Sequence, residues 1–250
     1  MARENWTRKE HIVAFNLYCK TPFSKINSSN YGVQKLAPVI GRSVGAVAMK
    51  LANFARLDPA LQERGIKGLQ RGSKGEEEVW EEFHGNWEEL AYKSERILAE
   101  FKNENVEDSA DLDKDDLPSE GKERESVVKT RVNQSFFRKT ILASYDNRCC
   151  ITGIKIPELL IGSHIKPWSS DEKNRMNPRN GLCLNALHDK AFDRGLITIS
   201  EGFKIILSQK LKKANEKFFQ NYDGKEIEMP QKFYPEKEFL QYHNDVIFQG

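Results

Sequence analysis

The sequence predicts an α+β protein in which a helical N-terminal domain precedes a C-terminal domain of short strands and one short helix. Helix caps and apolar residues at helical spacing dominate the first hundred residues, whereas short apolar runs between polar loops dominate after residue 150. A stretch rich in carboxylates, with few apolar residues to bury, separates the two. We therefore expect a helical domain at 1–101, an acidic linker at 102–126 and a second domain at 127–250.

The N-terminal domain begins with a capping box. Thr7 and Glu10 have the T-x-x-E spacing that starts a helix, and the apolar run after them favours its continuation to about residue 18. A second helix is expected at 31–40, because Gly41 provides a stop. A third is expected at 44–56, after the capping residue Ser43.

In the third helix, two neighbouring strips of residues follow helical spacing. Val47, Leu51 and Phe54 are apolar and are expected to face the core, whereas Lys50 and Asn53 lie on a polar strip that is free to face outward. A short helix, a glycine turn and a capped second helix are typical of helix-turn-helix DNA readers. The WT-x-x-E opening and the segment IGRSVGAVAMKL also resemble Myb-type or winged-helix DNA-binding modules. The alternative is a three-helix packing domain with a solvated basic face.

A glycine-rich segment at 65–74 follows these helices and is interpreted as a wing. Its glycines would let Lys67, Arg71 and Lys74 approach phosphates, in addition to Lys50 and Asn53 of the third helix.

Charge is strongly segregated along the chain. Residues 1–75 contain 13 Lys and Arg against 4 Asp and Glu, residues 76–126 contain 6 against 19, and residues 127–250 contain 20 against 14. Two basic modules around an acidic stretch indicate a polyanionic partner, with double-stranded DNA as the expected one. An alternative for the acidic stretch is a DNA mimic that covers the basic face.

The sequence also argues against several classes of protein. No apolar run is long enough to cross a membrane, and no signal peptide precedes the first charged residues, so a cytoplasmic protein without membrane partners is expected. Four cysteines without paired CxxC motifs predict neither a disulfide scaffold nor a structural zinc.

The C-terminal domain contains a strand, a polar loop, a second strand and a short helix in succession. The strands are expected near 158–167 and 180–184, and the helix near 185–192. His164, Asn180 and His188 fall on these elements, 16 and 8 residues apart. A β-hairpin is expected at 197–207.

The run CCITG…GSHIKPW…NPRNGLCLNALHDKAFDRGLITIS closely resembles the HNH nuclease module with its ββα-metal fold, in the variant found in bacterial restriction and defence nucleases. The likeness extends from about residue 131 to 207. It implies a metal-dependent endonuclease of a restriction type that hydrolyses DNA phosphodiesters. Two versions of this function stay open, a conventional restriction enzyme with a separate methylase and an enzyme that cuts only DNA with modified cytosine or adenine; the small separate reader domain favours the second. A double-strand cut needs either two active centres, as in a homodimer, or repeated nicking by one centre.

The resemblance assigns roles to the three residues of the motif. His164 corresponds to the general base, Asn180 to the residue that braces the loop, and His188 to a metal ligand, with one Mg²⁺ or Mn²⁺ per active site. Ser163 stands where many members have Asp or His as a second ligand. Asp189 and Asp193 are the nearby carboxylates, and Asp193 is the one expected to complete the ligand set.

Three cations near the module are candidates for phosphate contacts: Arg138, Lys166 and Arg194. Two other functions compete with a DNA endonuclease. One is a non-catalytic DNA-binding regulator that keeps a degenerate HNH fold, and the other is an RNA nuclease.

Overall fold

The computed structural model describes residues 5–66, 72–214 and 216–250. The chain divides into two compact units, 1–137 and 138–250. The structural division lies within a long helix, some ten residues after the start expected for the second domain. None of the helices in the described part of the chain has the length and apolarity needed to cross a bilayer.

Among the described residues of the N-terminal unit, all regular secondary structure is helical. Its helices are α1 (Arg8–Cys19), α2 (Tyr31–Val39), α3 (Val44–Ala55), α4 (Pro59–Glu63), α5 (Lys74–Phe83), α6 (Trp87–Lys102), α7 (Val106–Ser109) and the first part of α8 (Lys122–Ser144), with a 3-10 turn at Phe23–Lys25. The three helices expected from the sequence are present. The Thr7–Glu10 capping box forms, the Ser43 side chain accepts from the Ala46 N–H, and Gly41 adopts a positive φ after α2.

An aromatic cluster forms the core of the helical unit. Phe15 of α1 lies 4.9 Å from the Phe54 ring and 5.2 Å from the Trp80 ring, measured between centroids. The hydroxyl of the fully buried Tyr18 donates to Asp58, which also caps α4. The core therefore joins α1, α3 and α5, and the cap of α4 is tied to it.

The acidic stretch 102–126, which was expected to be a linker, is partly helical. It contains α7 and the start of α8, and the Arg124 guanidinium donates to the Glu107 carboxylate at 2.9 Å. The Ser109 hydroxyl donates to Glu95 of α6 at 2.8 Å. These contacts tie part of the stretch to the helical unit.

The C-terminal unit combines the end of α8 with two small antiparallel sheets and short helices. Its elements are β1 (Leu160–His164), β2 (Gly181–Asn185), α9 (Ala186–Asp193), β3 (Ile197–Ile199), β4 (Ile205–Leu207), α10 (Gln209–Lys213), α11 (Lys217–Gln220) and α12 (Lys237–Tyr242), with 3-10 turns at Pro157–Leu159 and Pro178–Asn180 and a π-helix at His243–Ile247. β1 pairs with β2, and β3 pairs with β4 as the expected hairpin.

Glycine at position 162 allows β1 to lie directly against α8. A Cβ placed on Gly162 would be 3.2 Å from the Cα of Arg138 and 3.3 Å from the Cβ of Ile141. This contact places β1, and the polar side chains at its end, on the helix that begins the unit.

Candidate functional site

The β1–β2 pair and α9 together position the polar residues of the C-terminal unit. His164 ends β1 opposite Gly181, and Ser163 is opposite Leu182. Asn185 ends β2 and caps α9, because its side chain accepts from the N–H groups of Leu187 and His188. A strand, a loop, a strand and a helix therefore follow one another as the sequence predicts.

Asn180 holds the loop between the two strands. Its side chain is fully buried, accepts from the Lys166 N–H at 2.8 Å and donates to the Lys166 carbonyl at 3.1 Å. It also donates to the Asn174 carbonyl at 3.3 Å, near the far end of the loop. These contacts are the ones expected of a loop-bracing residue, and Asn180 supplies no group to the cavity described below.

The ring of His164 is held in one tautomer. Its Nε2 lies 2.8 Å from the carbonyl oxygen of Arg175. Because a carbonyl can only accept, Nε2 carries the proton and Nδ1 is the basic nitrogen of the neutral ring. This carbonyl belongs to the loop between β1 and β2.

Burial lowers the pKa of His164, and the Arg175 carbonyl offsets only part of this effect. The imidazole is therefore neutral near pH 7, the state that a general base requires. The indole of Trp168 packs edge-on against the imidazole, with ring centroids 5.5 Å apart.

A cavity of about 560 Å³ opens beside His164. Its walls come from β1, from the start of the following loop, from α9 and from the C-terminal π-helix. The lining residues used below are Ser163, His164, Trp168, Asp189, Asp193, His243 and Ile247.

Two carboxylates of α9 face this cavity. Asp189 and Asp193 are four residues apart, so they lie on the same side of the helix. Burial raises the pKa of Asp189, and a hydroxyl interaction from Ser163 partly offsets this increase. Burial also raises the pKa of Asp193, and the negative charge of Asp189 raises it further despite Lys190 and Arg194 nearby. Two acidic groups that repel each other in a partly desolvated cavity would be stabilised by a cation.

His188 is not part of this cavity, and its assignment as a catalytic metal ligand is corrected. The residue is only 1% exposed, and its Nδ1 lies 2.9 Å from the side-chain amide nitrogen of Asn185. The ring packs against the aromatic rings of α11 and the residues after it: Phe218, Phe219 and Tyr222. Burial lowers the pKa of His188 to about 4.

The physical reason is helical phase. Successive residues of an α-helix point about 100° apart, so the face that carries Asp189 and Asp193 cannot also carry His188. Asp189 was named from the sequence only as a nearby carboxylate. The Asp189–Asp193 spacing of four residues was the pattern that could have identified it as part of the site.

The donor set of the cavity suits a hard divalent cation with a partly aqueous shell. No cluster of three or more His, Cys, Asp or Glu suitable for a metal occurs within the described residues. Two carboxylates are nevertheless a common protein contribution to Mg²⁺ sites, where water and substrate phosphate supply the other ligands. Ser163 is buried near Asp189, and its hydroxyl makes no well-formed hydrogen bond with another described residue.

Comparison with known protein families identifies part of the chain. A family model described as HNH endonuclease matches residues 149–200. This part of the chain is an HNH endonuclease domain. A search of curated proteins found no match to the chain.

The matched HNH segment contains His164, Asn180 and both carboxylates of α9. His243 and Ile247, which also line the cavity, lie outside it. Neither residue was expected in the site from the sequence.

The three candidate phosphate contacts around the HNH domain have different environments. Arg138 donates to the carbonyls of Pro157 and Leu160 at 2.9 Å each, so it supports the chain that enters β1. Lys166 pairs with Asp171 at 3.0 Å. Arg194 caps α9 and is exposed, which leaves it accessible to a phosphate.

The outward-facing strip expected on α3 is wrong for Lys50 and Asn53. Both side chains are buried and donate to Glu76 of α5, which is itself inaccessible to solvent. Lys50 also lies 3.3 Å from Nε2 of His11 and over the Trp6 ring. The apolar residues of α3 are buried as expected. The adjacent polar residues are buried too, because they donate to the buried carboxylate of Glu76.

Of the expected wing contacts, Lys67 and Arg71 lie outside the described residues. Lys74 begins α5, its side chain is 88% exposed, and it forms a long contact of 3.6 Å with Glu78.

Proposed function

We propose that the protein is a DNA endonuclease that depends on a divalent metal ion, Mg²⁺ or Mn²⁺. The observation that carries the proposal is one cavity that contains a neutral imidazole of fixed tautomer together with two carboxylates. An imidazole can activate water as a general base, and a pair of carboxylates can hold the cation that assists hydrolysis of a phosphodiester.

Asp189 and Asp193 would hold the metal, with Ser163 as a weak additional oxygen donor. When bound, the cation would polarise the scissile phosphate and stabilise charge on the leaving 3′-oxygen. The two aspartates would be ionised in that state, because a cation would offset the burial and mutual repulsion that raise their pKa values.

His164 would act at its Nδ1 atom. Nδ1 takes one proton from the attacking water, the water oxygen bonds to phosphorus, and the bond from phosphorus to the 3′-oxygen breaks. The leaving oxygen then takes a proton from solvent. Throughout, the Nε2–H group stays on the Arg175 carbonyl, which stabilises the positive imidazolium.

The matched control for this chemistry is an acidic residue of the loop outside the cavity. Supercoiled plasmid incubated with Mn²⁺ or Mg²⁺ should be nicked or linearised by the wild type and by Glu172→Gln, whose side chain is exposed. His164→Ala, Asp189→Asn and Asp193→Asn should each lose cleavage by at least about 100-fold while they keep DNA binding. No cleavage by the wild type on any duplex would support a DNA-binding regulator, and faster degradation of single-stranded RNA would support an RNA nuclease.

We further propose that the nuclease has a restriction role and prefers modified DNA, with the helical unit contributing DNA affinity. The support is the combination of a small basic helical unit with an HNH domain in one chain. Cleavage of otherwise identical DNAs that contain unmodified, cytosine-modified or adenine-modified bases tests the preference. Equal rates on all three would remove modification dependence and leave the nuclease proposal intact.

A further inference from the structure

The C-terminal segment, residues 237–249, supplies one wall of the active-site cavity although it lies outside the matched HNH segment. It consists of α12, the π-helix and the residues that follow. His243 and Ile247 of the π-helix line the cavity together with His164, Asp189 and Asp193. π-helical turns are rare and occur frequently at functional sites.

The ring of His243 is fixed through both nitrogens. Nε2 lies 3.2 Å from the carbonyl oxygen of Phe192, and Nδ1 lies 2.8 Å from the hydroxyl of Thr198. The carbonyl can only accept, so Nε2–H donates to it and Nδ1 accepts from the Thr198 hydroxyl. Burial lowers the pKa of His243 to about 4, so the ring stays neutral in this arrangement.

The same imidazole stacks on the ring of Phe192, with centroids 3.6 Å apart and planes inclined by 13°. The hydrogen bond and the stacking both act on the residue that precedes Asp193. His243 therefore contacts the last turn of α9 through both the backbone carbonyl and the ring of Phe192.

The C-terminal segment makes a second contact immediately after Asp193. Gly195 has a φ of +64°, and a Cβ at this position would lie 2.0 Å from the carbonyl oxygen of Ile247. The N–H of Gln249 donates to the Gly195 carbonyl at 2.9 Å. Only glycine permits this backbone-to-backbone approach, so the segment clamps the chain on both sides of Asp193.

The position of Asp193 in the last turn of α9 depends on these contacts. Asp193 is the final residue of the helix, and the last carbonyls depend on partners that follow it: the Gly195 N–H donates to Phe192 and the Leu196 N–H donates to Ala191, each at 2.8 Å, so the turn frays if these residues move. Repulsion from Asp189 favours fraying further, because it is relieved when the two carboxylates move apart.

We propose that His243 is a positioning residue that holds Asp193 in the cavity opposite His164, and that Ile247 closes the cavity wall beside it. This inference rests on the proposed nuclease function. It predicts that the C-terminal segment determines the affinity of the site for a divalent cation without touching the cation or the scissile phosphate.

Comparison of His243→Leu with His243→Gln tests the proposal, with Val246→Ala as the matched control. Leucine removes the donor to Phe192, whereas the glutamine amide keeps an N–H that can reach the same carbonyl. Val246 is in the same π-helix but is 60% exposed and does not line the cavity. Mn²⁺ binding to the full-length protein is measured by calorimetry without DNA, and kcat and KM are measured on plasmid at saturating Mn²⁺.

The expected result for His243→Leu is Mn²⁺ binding weaker by about 10- to 100-fold, the usual cost of losing a residue that orients a ligand. The KM for DNA should stay unchanged while kcat falls. His243→Gln should recover most of the Mn²⁺ affinity, and Val246→Ala should match the wild type. A folded His243→Leu with wild-type Mn²⁺ affinity and kcat would overturn the proposal, as would a glutamine variant impaired as strongly as the leucine variant.

A second variant, Thr198→Val, tests the same role of His243 if His243→Leu does not fold. It removes only the hydroxyl that orients the imidazole, so we expect a smaller loss of Mn²⁺ affinity with the melting temperature nearly retained. Unchanged Mn²⁺ affinity in Thr198→Val together with a fully impaired His243→Gln would overturn the positioning role. Failure of the nuclease proposal itself is distinct, because the wild type would then neither bind Mn²⁺ nor cut DNA.

Discussion

Replacement of Lys50 by alanine separates the two interpretations of helix α3. In the structure the Lys50 side chain is 7% exposed and forms an ion pair with Glu76, whose side chain is 0% exposed. The alanine variant would leave the carboxylate buried without its nearest cation, and among the described residues only Arg56, at 3.8 Å, would remain within ion-pair distance. Removing one partner of a buried pair typically costs about 3–5 kcal/mol, so we expect a loss of this size in the free energy of unfolding.

The Glu76 carboxylate retains neutral donors in the Lys50→Ala variant. Asn53 donates to it at 2.9 Å and the Ser73 N–H at 2.8 Å. These bonds place the expected loss near the lower end of the range. A double variant, Lys50→Met with Glu76→Gln, removes both charges and should recover much of the stability, because an imperfectly bonded buried amide costs only about 1–3 kcal/mol.

Urea denaturation at pH 7 followed by tryptophan fluorescence measures these differences. Three of the four tryptophans, Trp6, Trp80 and Trp87, belong to the helical unit and report its unfolding. A salt titration of DNA binding by the folded variants provides the second measurement. Lys50→Ala should leave the slope of log affinity against log salt unchanged, because Lys50 makes no phosphate contact. A reduced slope with unchanged unfolding free energy would refute the structural account and restore Lys50 to a DNA-contacting surface.

Four further predictions concern the site and the fold. His188→Leu should keep Mn²⁺-dependent cleavage, with a change well below the roughly 10- to 100-fold loss expected for an orienting partner of a metal ligand, as measured by plasmid nicking. Asn180→Ala should lower the unfolding free energy by about 1–3 kcal/mol, because it leaves the part-buried N–H and carbonyl of Lys166 without their Asn180 partner, and it should also slow cleavage. Gly162→Val should destabilise the C-terminal unit by about 1–3 kcal/mol through a clash with α8, and an unchanged melting temperature would contradict the close contact. Burial alone would raise the pKa of Glu76, but the bonds to its carboxylate hold that pKa below the usual 4.5. The ionised carboxylate therefore stabilises the fold above pH 4.5, and this stabilisation is lost as the pH falls through the lowered pKa. Glu76→Gln should therefore flatten the acid limb of a pH–stability curve.

Local rules determined much of this protein from its sequence. The Thr7–Glu10 capping box, the cap at Ser43 and the stop at Gly41 depend on hydrogen bonds and backbone preferences within a few residues, and all three are present in the structure. The order of strands and helix around His164 and Asn180 was readable for the same reason, since alternating apolar residues and a capping asparagine are local patterns.

Tertiary structure decided the details on which the chemistry depends. A shift of one residue on α9 changes the direction of a side chain by about 100°. His188 packs against an aromatic cluster some thirty residues later in the chain, and this packing turns the face with Asp189 and Asp193 toward the cavity. Lys50 is drawn inward by a carboxylate 26 residues away, and the cavity is completed by a π-helix near residue 245. Such pairings lie beyond any local pattern, because their free energy comes from desolvation and contact between segments that meet only in the folded chain.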